Sequence, residues 1–331
     1  MDSNTQNHAF ANRTVNRLRY VVDIGSSYTS IYQNGTVLNQ PTAALIRRNH
    51  RNLELIAAGS DVFKYLKNRD PNTDIVNPMR DGQIVYPEAA SLMLRAFFKR
   101  VVPRTFFKGA EIIVAIPSGI TNIERDTYER AIIKSGYSDV FLIESIYGLW
   151  PVIKPNGQLV IIIGSGITDI GILTKAGIIS ACSINLGGRR IDELIAEHVA
   201  REYATKISLT TAESLKMEIG NFNEGDTSFA EIMGRDLITG EVKKISVSAA
   251  SIKLPIKECY AKLIDVAESL LTTIPDHLLP AIAKNGIYLA GGGANMNGLD
   301  DFITKRLKIS STKDPDPKIA VARGLYSISK L

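Results

Sequence analysis

Short apolar runs that end in glycine recur in both halves of this chain. One such run opens a predicted hairpin at 20–31, which closes after Asn34-Gly35, and residues 159–163 and 286–290 form two more. Apolar residues at helical spacing lie between them, at 87–101 and 122–135. These periods are typical of buried strands and amphipathic helices, respectively. Because strand, glycine turn and helix recur in both halves, we predict a duplicated α/β unit with a cleft between the halves.

Further segments complete this pattern. We predict strands at 36–38, 43–47, 53–58, 110–116, 140–143, 170–174 and 178–184, a strand-rich section at 227–248, and helices at 190–203, 211–219, 252–272 and 297–307. The connection that holds Trp150, Pro151 and Pro155 lies between the halves, so a domain boundary is expected there. The polar residues 1–16 are expected to form a flexible tail.

The composition favours a globular, reduced and non-membrane-spanning protein. The chain has 331 residues, of which 45% are hydrophobic and 22% charged, which suggests about two domains and argues against disorder. The net charge of +5 fits weak attraction to anionic lipid, but no Lys/Arg run favours nucleic acid. Cys182 and Cys259 have neither pairing nor metal spacing. The sequence shows neither the apolar core of a signal peptide nor a membrane-spanning stretch, so we expect a cytoplasmic location.

Three of the glycine turns have the character of phosphate-binding turns. They are Gly25-Ser26-Ser27, Gly164-Ser165-Gly166 and Gly291-Gly292-Gly293, each at the end of an apolar strand. Glycine permits close approach, so that backbone N–H groups can bind an anion. One such turn alone is more simply explained as a hairpin. Three of them in a duplicated frame favour a nucleotide.

The first two turns differ in one chemically important position. Asp23 lies two residues before Gly25, whereas Ile162 occupies the matching place before Gly164. A carboxylate there could hold the water shell of a magnesium ion, and an isoleucine could not. This asymmetry bears on whether the protein hydrolyses a nucleotide or only binds it.

Long and specific segments run from about Val21 to Ser329. They read VVDIGSSYTS, GTVLNQPT, NPMRDGQIVYPEAA, IPSGITNIER, TAESLKMEIG, GRDLITGEVKKI and GIYLAGGGANMNGLDDF. With these segments the chain resembles the MreB family of bacterial actin homologues. The resemblance implies an α/β, actin-like ATPase fold with two duplicated RNase H-like domains around a nucleotide cleft. It also implies binding of ATP or ADP with Mg²⁺, and self-assembly into filaments that tend to pair antiparallel.

The resemblance also implies a domain arrangement. Residues 17–152 would form domain I with a small insertion subdomain at about 37–78. Residues 153–331 would form domain II with an insertion at about 190–250, and the C-terminal helix would return toward domain I.

Site residues are carried over by position from the family's motifs. The two phosphate turns would use Gly25, Ser26, Ser27, Gly164, Ser165 and Gly166, and Asp23 would hold Mg²⁺ through water. The ribose and adenine would contact Glu213, Lys216, Gly291, Gly292 and Gly293. Without the resemblance, Glu213 and Lys216 are better explained as a solvated helix face.

Departures from the family cluster on the catalytic positions. Ile162 replaces the magnesium-holding aspartate, and Ile167 replaces a threonine that helps place the attacking water. Ser145 falls where the family has its water-activating glutamate, although a one-residue shift would put Glu144 there instead. Asp169 is not expected to substitute for Ile162. We therefore expect a filament protein with very weak or absent ATP hydrolysis. The alternative is an active ATPase in which Glu144 or another group compensates.

Surfaces outside the nucleotide site are predicted less directly. Phe106 and Phe107 are flanked by basic residues, which suits insertion into the anionic inner face of the cell membrane. The alternative is that both side chains pack in the core. The helix at 122–135, with Ile123 near its start, resembles the face that pairs protofilaments, although its apolar spacing fits a plain core helix equally well. Arg189 and Arg190 depart from the family's acidic pattern. They could contact phosphate or an adjacent subunit, but an exposed helix start is the preferred interpretation. Divergent paralogues occur in wall-less helical bacteria, so other MreB paralogues are expected partners in cell shape or motility.

Overall fold

The computed structural model of the chain describes residues 18–49, 52–68, 70–103 and 109–331. It divides into two compact units. Unit 1 runs to Val152 and includes the C-terminal residues Ile319–Leu331, and unit 2 comprises Ile153–Lys318. The chain therefore leaves unit 1 once and returns to it at the end.

The elements alternate as the hydrophobic pattern indicates. The strands are β1 (Arg19–Ile24), β2 (Tyr28–Tyr32), β3 (Thr36–Pro41), β4 (Ala44–Asn49), β5 (Asn52–Ala58), β6 (Thr73–Val76), β7 (Met79–Arg80), β8 (Gln83–Ile84), β9 (Glu111–Ile116), β10 (Val140–Glu144), β11 (Gln158–Ile163), β12 (Thr168–Thr174), β13 (Gly177–Ile184), β14 (Thr205–Lys206), β15 (Phe229–Asp236), β16 (Val242–Ser248), β17 (Ile287–Ala290) and β18 (Ser311–Lys313). The α-helices are α1 (Pro87–Val101), α2 (Asn122–Ser135), α3 (Gly188–Tyr203), α4 (Leu209–Ile219), α5 (Ala249–Thr272), α6 (Leu279–Asn285), α7 (Leu299–Leu307) and α8 (Ala320–Ile328). Short 3₁₀ turns lie at Gly59–Tyr65, Ser145–Leu149, Asp276–Leu278 and Gly292–Asn295.

The two units contain main sheets of the same topology. In unit 1 the strand order is β10-β9-β1-β2-β3, and in unit 2 it is β18-β17-β11-β12-β13. In each sheet the first strand pairs antiparallel with the strand that follows it and parallel with a later strand. The predicted duplication is thus present as two sheets with one connection scheme.

Each main sheet has its own core. In unit 1, Val22 and Val114 pack in one buried cluster with Met93 and Phe97 of α1. In unit 2, β11 contributes Leu159, Ile161 and Ile163 to a second cluster, together with residues of α3, α4 and α5. The central strands are apolar on both faces, as expected for strands covered on both sides.

Smaller sheets are inserted in both units. In unit 1, β4, β5 and β6 form a three-stranded antiparallel sheet, and the chain enters it after β3. In unit 2, β14, β15 and β16 form a second three-stranded sheet. The strand-rich section predicted at 227–248 corresponds to the hairpin of β15 and β16.

Helix boundaries follow local capping chemistry. Helix α2 begins after Thr121, which forms a capping box with Glu124, and it ends at Gly136 in the left-handed region with φ of 117°. These signals explain why the predicted bounds of α2 match the structure. Helix α3 begins at Gly188, two residues earlier than predicted. None of the helices in the described residues is long and apolar enough to cross a membrane.

Two glycines fix the C-terminal helix in unit 1. A Cβ placed on Gly324 of α8 would lie 1.6 Å from the carbonyl oxygen of Gly148. A Cβ on Gly148 would lie 2.6 Å from the carbonyl oxygen of Val321. The side chain of Arg19 adds a second anchor, since it pairs with Glu111 at 2.7 Å and donates to the carbonyl of Ser329. Helix α8 therefore packs backbone to backbone on the 3₁₀ turn after β10.

Candidate functional site

The glycine turns after β1 and β11 are geometric copies of each other. The N–H of Gly25 donates to the carbonyl of Tyr28 at 3.0 Å, and the N–H of Gly164 donates to the carbonyl of Ile167 at 2.9 Å. A Cβ on Gly25 or on Gly164 would lie 2.8 Å from the corresponding carbonyl oxygen. Because a real Cβ does not approach an oxygen so closely, both turns require glycine at this position.

The start of helix α3 holds the second turn. The N–H groups of Gly188 and Arg189 donate to the carbonyls of Gly164 and Ser165, at 3.0 and 2.8 Å. In a planar trans peptide the carbonyl and the following N–H point in opposite directions. The N–H groups of Ser165 and Gly166 therefore face away from α3. This arrangement leaves backbone donors that can bind an anion.

The side chains of two residues hold the carbonyls of the first turn in the same manner. Thr42 Oγ1 donates to the carbonyl of Gly25 at 2.7 Å, and Asn77 Nδ2 donates to the carbonyl of Ser26 at 2.6 Å. Within the described part of the chain, the hydroxyl of Ser26 is buried and has no hydrogen-bond partner. A buried hydroxyl of this kind calls for a partner, and a bound phosphate would provide one.

The acid of the first turn lies in an environment that disfavours its charge. Burial raises the pKa of Asp23 from 3.8 to about 6. Asp23 is directly opposite Ser30 on β2. A cation bound nearby would favour the charged carboxylate and lower this pKa again.

In the second hairpin the acidic residue lies on β12 and not on β11. Ile162 is buried and lies directly opposite Asp169 of β12. The carboxylate of Asp169 accepts a hydrogen bond from Ser183, its neighbour on β13. Ile162 and Ile167 supply no oxygen or hydroxyl from their side chains, so this turn offers its backbone groups and the hydroxyl of Ser165.

The two candidates for the water-activating residue are both engaged within unit 1. Glu144 ends β10 and forms an ion pair with Arg125 of α2, with 3.1 Å between Oε1 and Nη2. Ser145 donates its hydroxyl to the carbonyl of Ile116 at 3.0 Å. One oxygen of Glu144 is thus held by a guanidinium, and the hydroxyl of Ser145 is a poor base.

The third glycine turn is packed against the strand that carries the second. Gly291 has φ of 80°, and a Cβ there would lie 2.3 Å from the carbonyl oxygen of Ile163. A Cβ on Gly293 would lie 2.3 Å from the side chain of Ile163, whereas one on Gly292 would meet nothing within 4 Å. Tyr260 donates to the carbonyl of Gly293 at 2.9 Å. Gly292 therefore leaves an open backbone surface on which a flat ring could lie.

Lys216 connects α4 to the start of α3. Its ammonium group forms an ion pair of 2.6 Å with Asp192 and donates to the carbonyl of Gly188 at 3.0 Å. Burial raises the pKa of Asp192 to about 6, although Lys216 opposes this shift. Glu213, one turn earlier on α4, is exposed. The structure thus gives Lys216 a role in the support of the second turn that the sequence did not reveal.

The remaining predicted residues are placed as follows. Phe106 and Phe107 lie outside the described residues. Arg189 and Arg190 are at the start of α3, where both pair with Glu193. Across the described ranges, no group of three or more His, Cys, Asp or Glu side chains could hold a metal ion.

Sequence reasoning missed the residues that hold the turns. Thr42 and Asn77 support the first turn, and Gly187 and Gly188 support the second. A Cβ on Gly187 would lie 2.6 Å from the carbonyl oxygen of Ser165. The paired glycines were a usable signal, because Gly-Gly before a helix marks close backbone approach. Asn77 begins the matched segment NPMRDGQIVYPEAA, but no pattern in that segment assigns it to the first turn.

The duplicated sheets with matching glycine turns define an actin-like fold, and the comparison with solved structures confirms the predicted fold class. MreB5 of Spiroplasma citri bound to AMPPNP matches with a TM-score of 0.87 and 28% identity, covering 96% of this chain and 97% of that chain. A MamK chain from a double helical filament matches with a TM-score of 0.78 at 19% identity, over 96% of this chain and 99% of that one, which shows the fold alone.

The chain belongs to the MreB/Mbl protein family, whose model matches residues 18–330. Among curated relatives, the cell shape-determining protein Mbl of Bacillus cereus is 30% identical over 311 residues, covering 92% of this chain and 93% of the relative. The cell shape-determining protein MreB of Escherichia coli is 31% identical over 314 residues, covering 92% and 90%. These matches confirm the family resemblance drawn from the motifs.

Proposed function

We propose that this protein is a cytoskeletal filament subunit that binds ATP or ADP with Mg²⁺ and hydrolyses ATP very slowly or not at all. Its relatives are named as cell shape-determining proteins, and MreB5 of Spiroplasma citri was solved with AMPPNP and with ADP. The two copied phosphate turns and the open backbone at Gly292 support retention of nucleotide binding.

One observation carries the proposed loss of hydrolysis: the groups at the catalytic positions lack the required chemistry. Ile162 has no carboxylate, Ile167 has no hydroxyl, and Ser145 donates its hydroxyl to the backbone of β9. Phosphoryl transfer requires metal placement and an oriented water. A general base typically contributes about 10²–10⁴ in rate, so its loss should slow turnover by at least about 10².

Asp23 is the residue that would hold Mg²⁺ through water. Magnesium in phosphate sites commonly uses one or two carboxylates together with waters and phosphate oxygens, and a single carboxylate meets this minimum. When bound, the ion would neutralise charge on the phosphates. Asp23 fits this role because its carboxylate is half-buried at the end of β1, beside the first turn.

The alternative function is an active ATPase filament in which Glu144 or another group compensates. The ion pair with Arg125 weighs against Glu144, since the guanidinium already holds one of its carboxylate oxygens.

Phosphate release from polymerising protein tests the proposal. The wild-type rate is expected to be at least about 10² below that of the Escherichia coli relative under the same conditions. The triple variant S145E/I162D/I167T should release phosphate faster than wild type, and E144Q should not slow the residual rate. A wild-type turnover equal to that of the relative would reject the loss of hydrolysis, and a strong loss in E144Q would establish compensation by Glu144.

Assembly and location belong to the same proposal. We place the filament in the cytoplasm, peripheral to the inner face of the cell membrane, with antiparallel double filaments for cell shape or motility. Ile123 at the start of α2 is 80% exposed, which fits a helix that pairs protofilaments. We expect other MreB paralogues as partners, and we expect no nucleic acid partner. Electron microscopy with and without ATP, on wild type and I123D, tests the filament and its pairing.

A further inference from the structure

Three successive carbonyls of the first turn are held by two residues outside it. Thr42 donates its hydroxyl to Gly25 at 2.7 Å and its N–H to the carbonyl of Ser27 at 2.9 Å. Asn77 donates its side-chain amide to the carbonyl of Ser26 at 2.6 Å. Both residues lie at junctions with the small inserted sheet, since Thr42 lies between β3 and β4 and Asn77 directly follows β6.

The orientation of the Asn77 amide is fixed by a second bond. Its Oδ1 accepts from the N–H of Met79 at 2.9 Å, so that its Nδ2 faces Ser26. With the carbonyls of Gly25 and Ser26 held on one side, the N–H groups of Ser26 and Ser27 face the opposite side. The buried, unpartnered hydroxyl of Ser26, noted above among the described residues, belongs to the same turn.

The two phosphate turns therefore depend on different kinds of support. Backbone N–H groups of α3 hold the second turn, and no side-chain substitution removes those donors. For the first turn, the donors to Gly25 and Ser26 are side-chain groups, and a single substitution removes either of them. The first turn is thus the one whose geometry can be tested by mutation without a change in the turn itself.

We propose that Asn77 and Thr42 are positioning residues for nucleotide phosphate. They orient the backbone donors of Ser26 and Ser27 toward the phosphates without touching the ligand. This inference rests on the proposed nucleotide-binding function and adds to it the residues on which phosphate affinity depends.

The test compares affinities for ATP, ADP and adenosine in the presence of Mg²⁺ by calorimetry. N77D keeps the acceptor for Met79 and removes the donor to Ser26, so it is nearly isosteric. T42V removes the hydroxyl bonds to the carbonyl of Gly25 and to the hydroxyl of Thr29, and T42S restores both. N72D adds the same charge at an exposed position before β6 and serves as the matched control.

N77D and T42V are expected to bind ATP and ADP at least about tenfold more weakly than wild type, because each loses one hydrogen bond that orders the turn. Adenosine affinity should be unchanged, and T42S and N72D should behave as wild type. ATP affinity equal to wild type in both variants would overturn the inference. A loss of adenosine affinity as large as the loss of ATP affinity would also overturn it, because it would indicate general damage to the fold. If wild type itself binds no ATP, the proposed function fails instead.

Discussion

Ile162 and Asp169 are direct partners across the hairpin of β11 and β12. The matching pair in unit 1 is Asp23 and Ser30, so the acid of the pair is on the first strand in unit 1 and on the second strand in unit 2. Side chains of direct partners share one face of a sheet. The carboxylate of Asp169 nevertheless accepts a hydrogen bond from Ser183 on β13, which is the neighbouring strand on the side away from Ile162.

Restoring an acid at 162 should therefore destabilise the nucleotide-free protein. I162D would place a second carboxylate directly opposite Asp169 in a buried setting. The expected loss in free energy of unfolding is about 1–3 kcal/mol, from like-charge repulsion and an unpaired polar group.

Urea unfolding without nucleotide or Mg²⁺ measures this loss. The double variant I162D/D169S recreates the Asp–Ser pair of unit 1 and should recover part of the loss. A single variant as stable as wild type would show that the hairpin tolerates two facing acids.

The stability of the nucleotide-free protein should depend on Asp23 between about pH 4 and pH 6. Because the pKa of Asp23 is raised from 3.8 to about 6, the folded state keeps the proton to higher pH than the unfolded state does. The stability from this group is therefore complete below about pH 4 and is lost as the pH rises to about 6. At pH 7, D23N should be more stable than wild type by about 1–3 kcal/mol.

Urea unfolding of D23N and wild type at a series of pH values checks this sign. The difference should shrink toward zero near pH 4, and D74N, at an exposed carboxylate of the same unit, should show little change. D23N should also bind ATP more weakly in Mg²⁺, although it is more stable alone. A D23N protein that is less stable at pH 7 would contradict the account.

The contact between Gly148 and Gly324 should tolerate no added methyl group. In G324A the new Cβ would overlap the carbonyl oxygen of Gly148, at 1.6 Å in the present geometry. Helix α8 would have to move away, at an expected cost of at least about 2 kcal/mol in the free energy of unfolding. Thermal unfolding of G324A measures it, with S327A on the exposed face of the same helix as control. Equal melting temperatures for the two variants would argue against the close packing.

Phe106 and Phe107 remain the predicted membrane contact. The double variant F106S/F107S should abolish pelleting with anionic liposomes, because two aromatic side chains would no longer insert at the interface. F63S removes an exposed phenylalanine elsewhere in unit 1 and should leave pelleting unchanged. Far-ultraviolet circular dichroism checks that the double variant is folded. Pelleting at the wild-type level would reject these two residues as the anchor.

The hydrophobic pattern predicted the elements well wherever local signals were strong. Helix α2 was placed at its observed bounds because Thr121, Glu124 and Gly136 mark its ends. Helix α5 was predicted from residue 252 but begins at Ala249, because its capping residue Ser248 is also the last residue of a strand. The turn residues Gly25 and Gly164 could be found because glycine is required there for steric reasons.

Long-range contacts could not be predicted in this way. The pairs of Arg125 with Glu144, Lys216 with Asp192 and Asn77 with Ser26 connect residues far apart in sequence. No periodicity encodes such a pair, since each depends on how separate elements pack. The roles of the site residues toward nucleotide stay predictions.

The return of the chain to unit 1 has a consequence for synthesis. Unit 2 is one continuous segment, Ile153–Lys318, and its sheet is complete once β18 has been made. Unit 1 lacks helix α8, with Gly324 at its contact, until Ala320–Ile328 has left the ribosome. Because domains fold as units during translation, the half of the protein encoded second should be the first to finish folding.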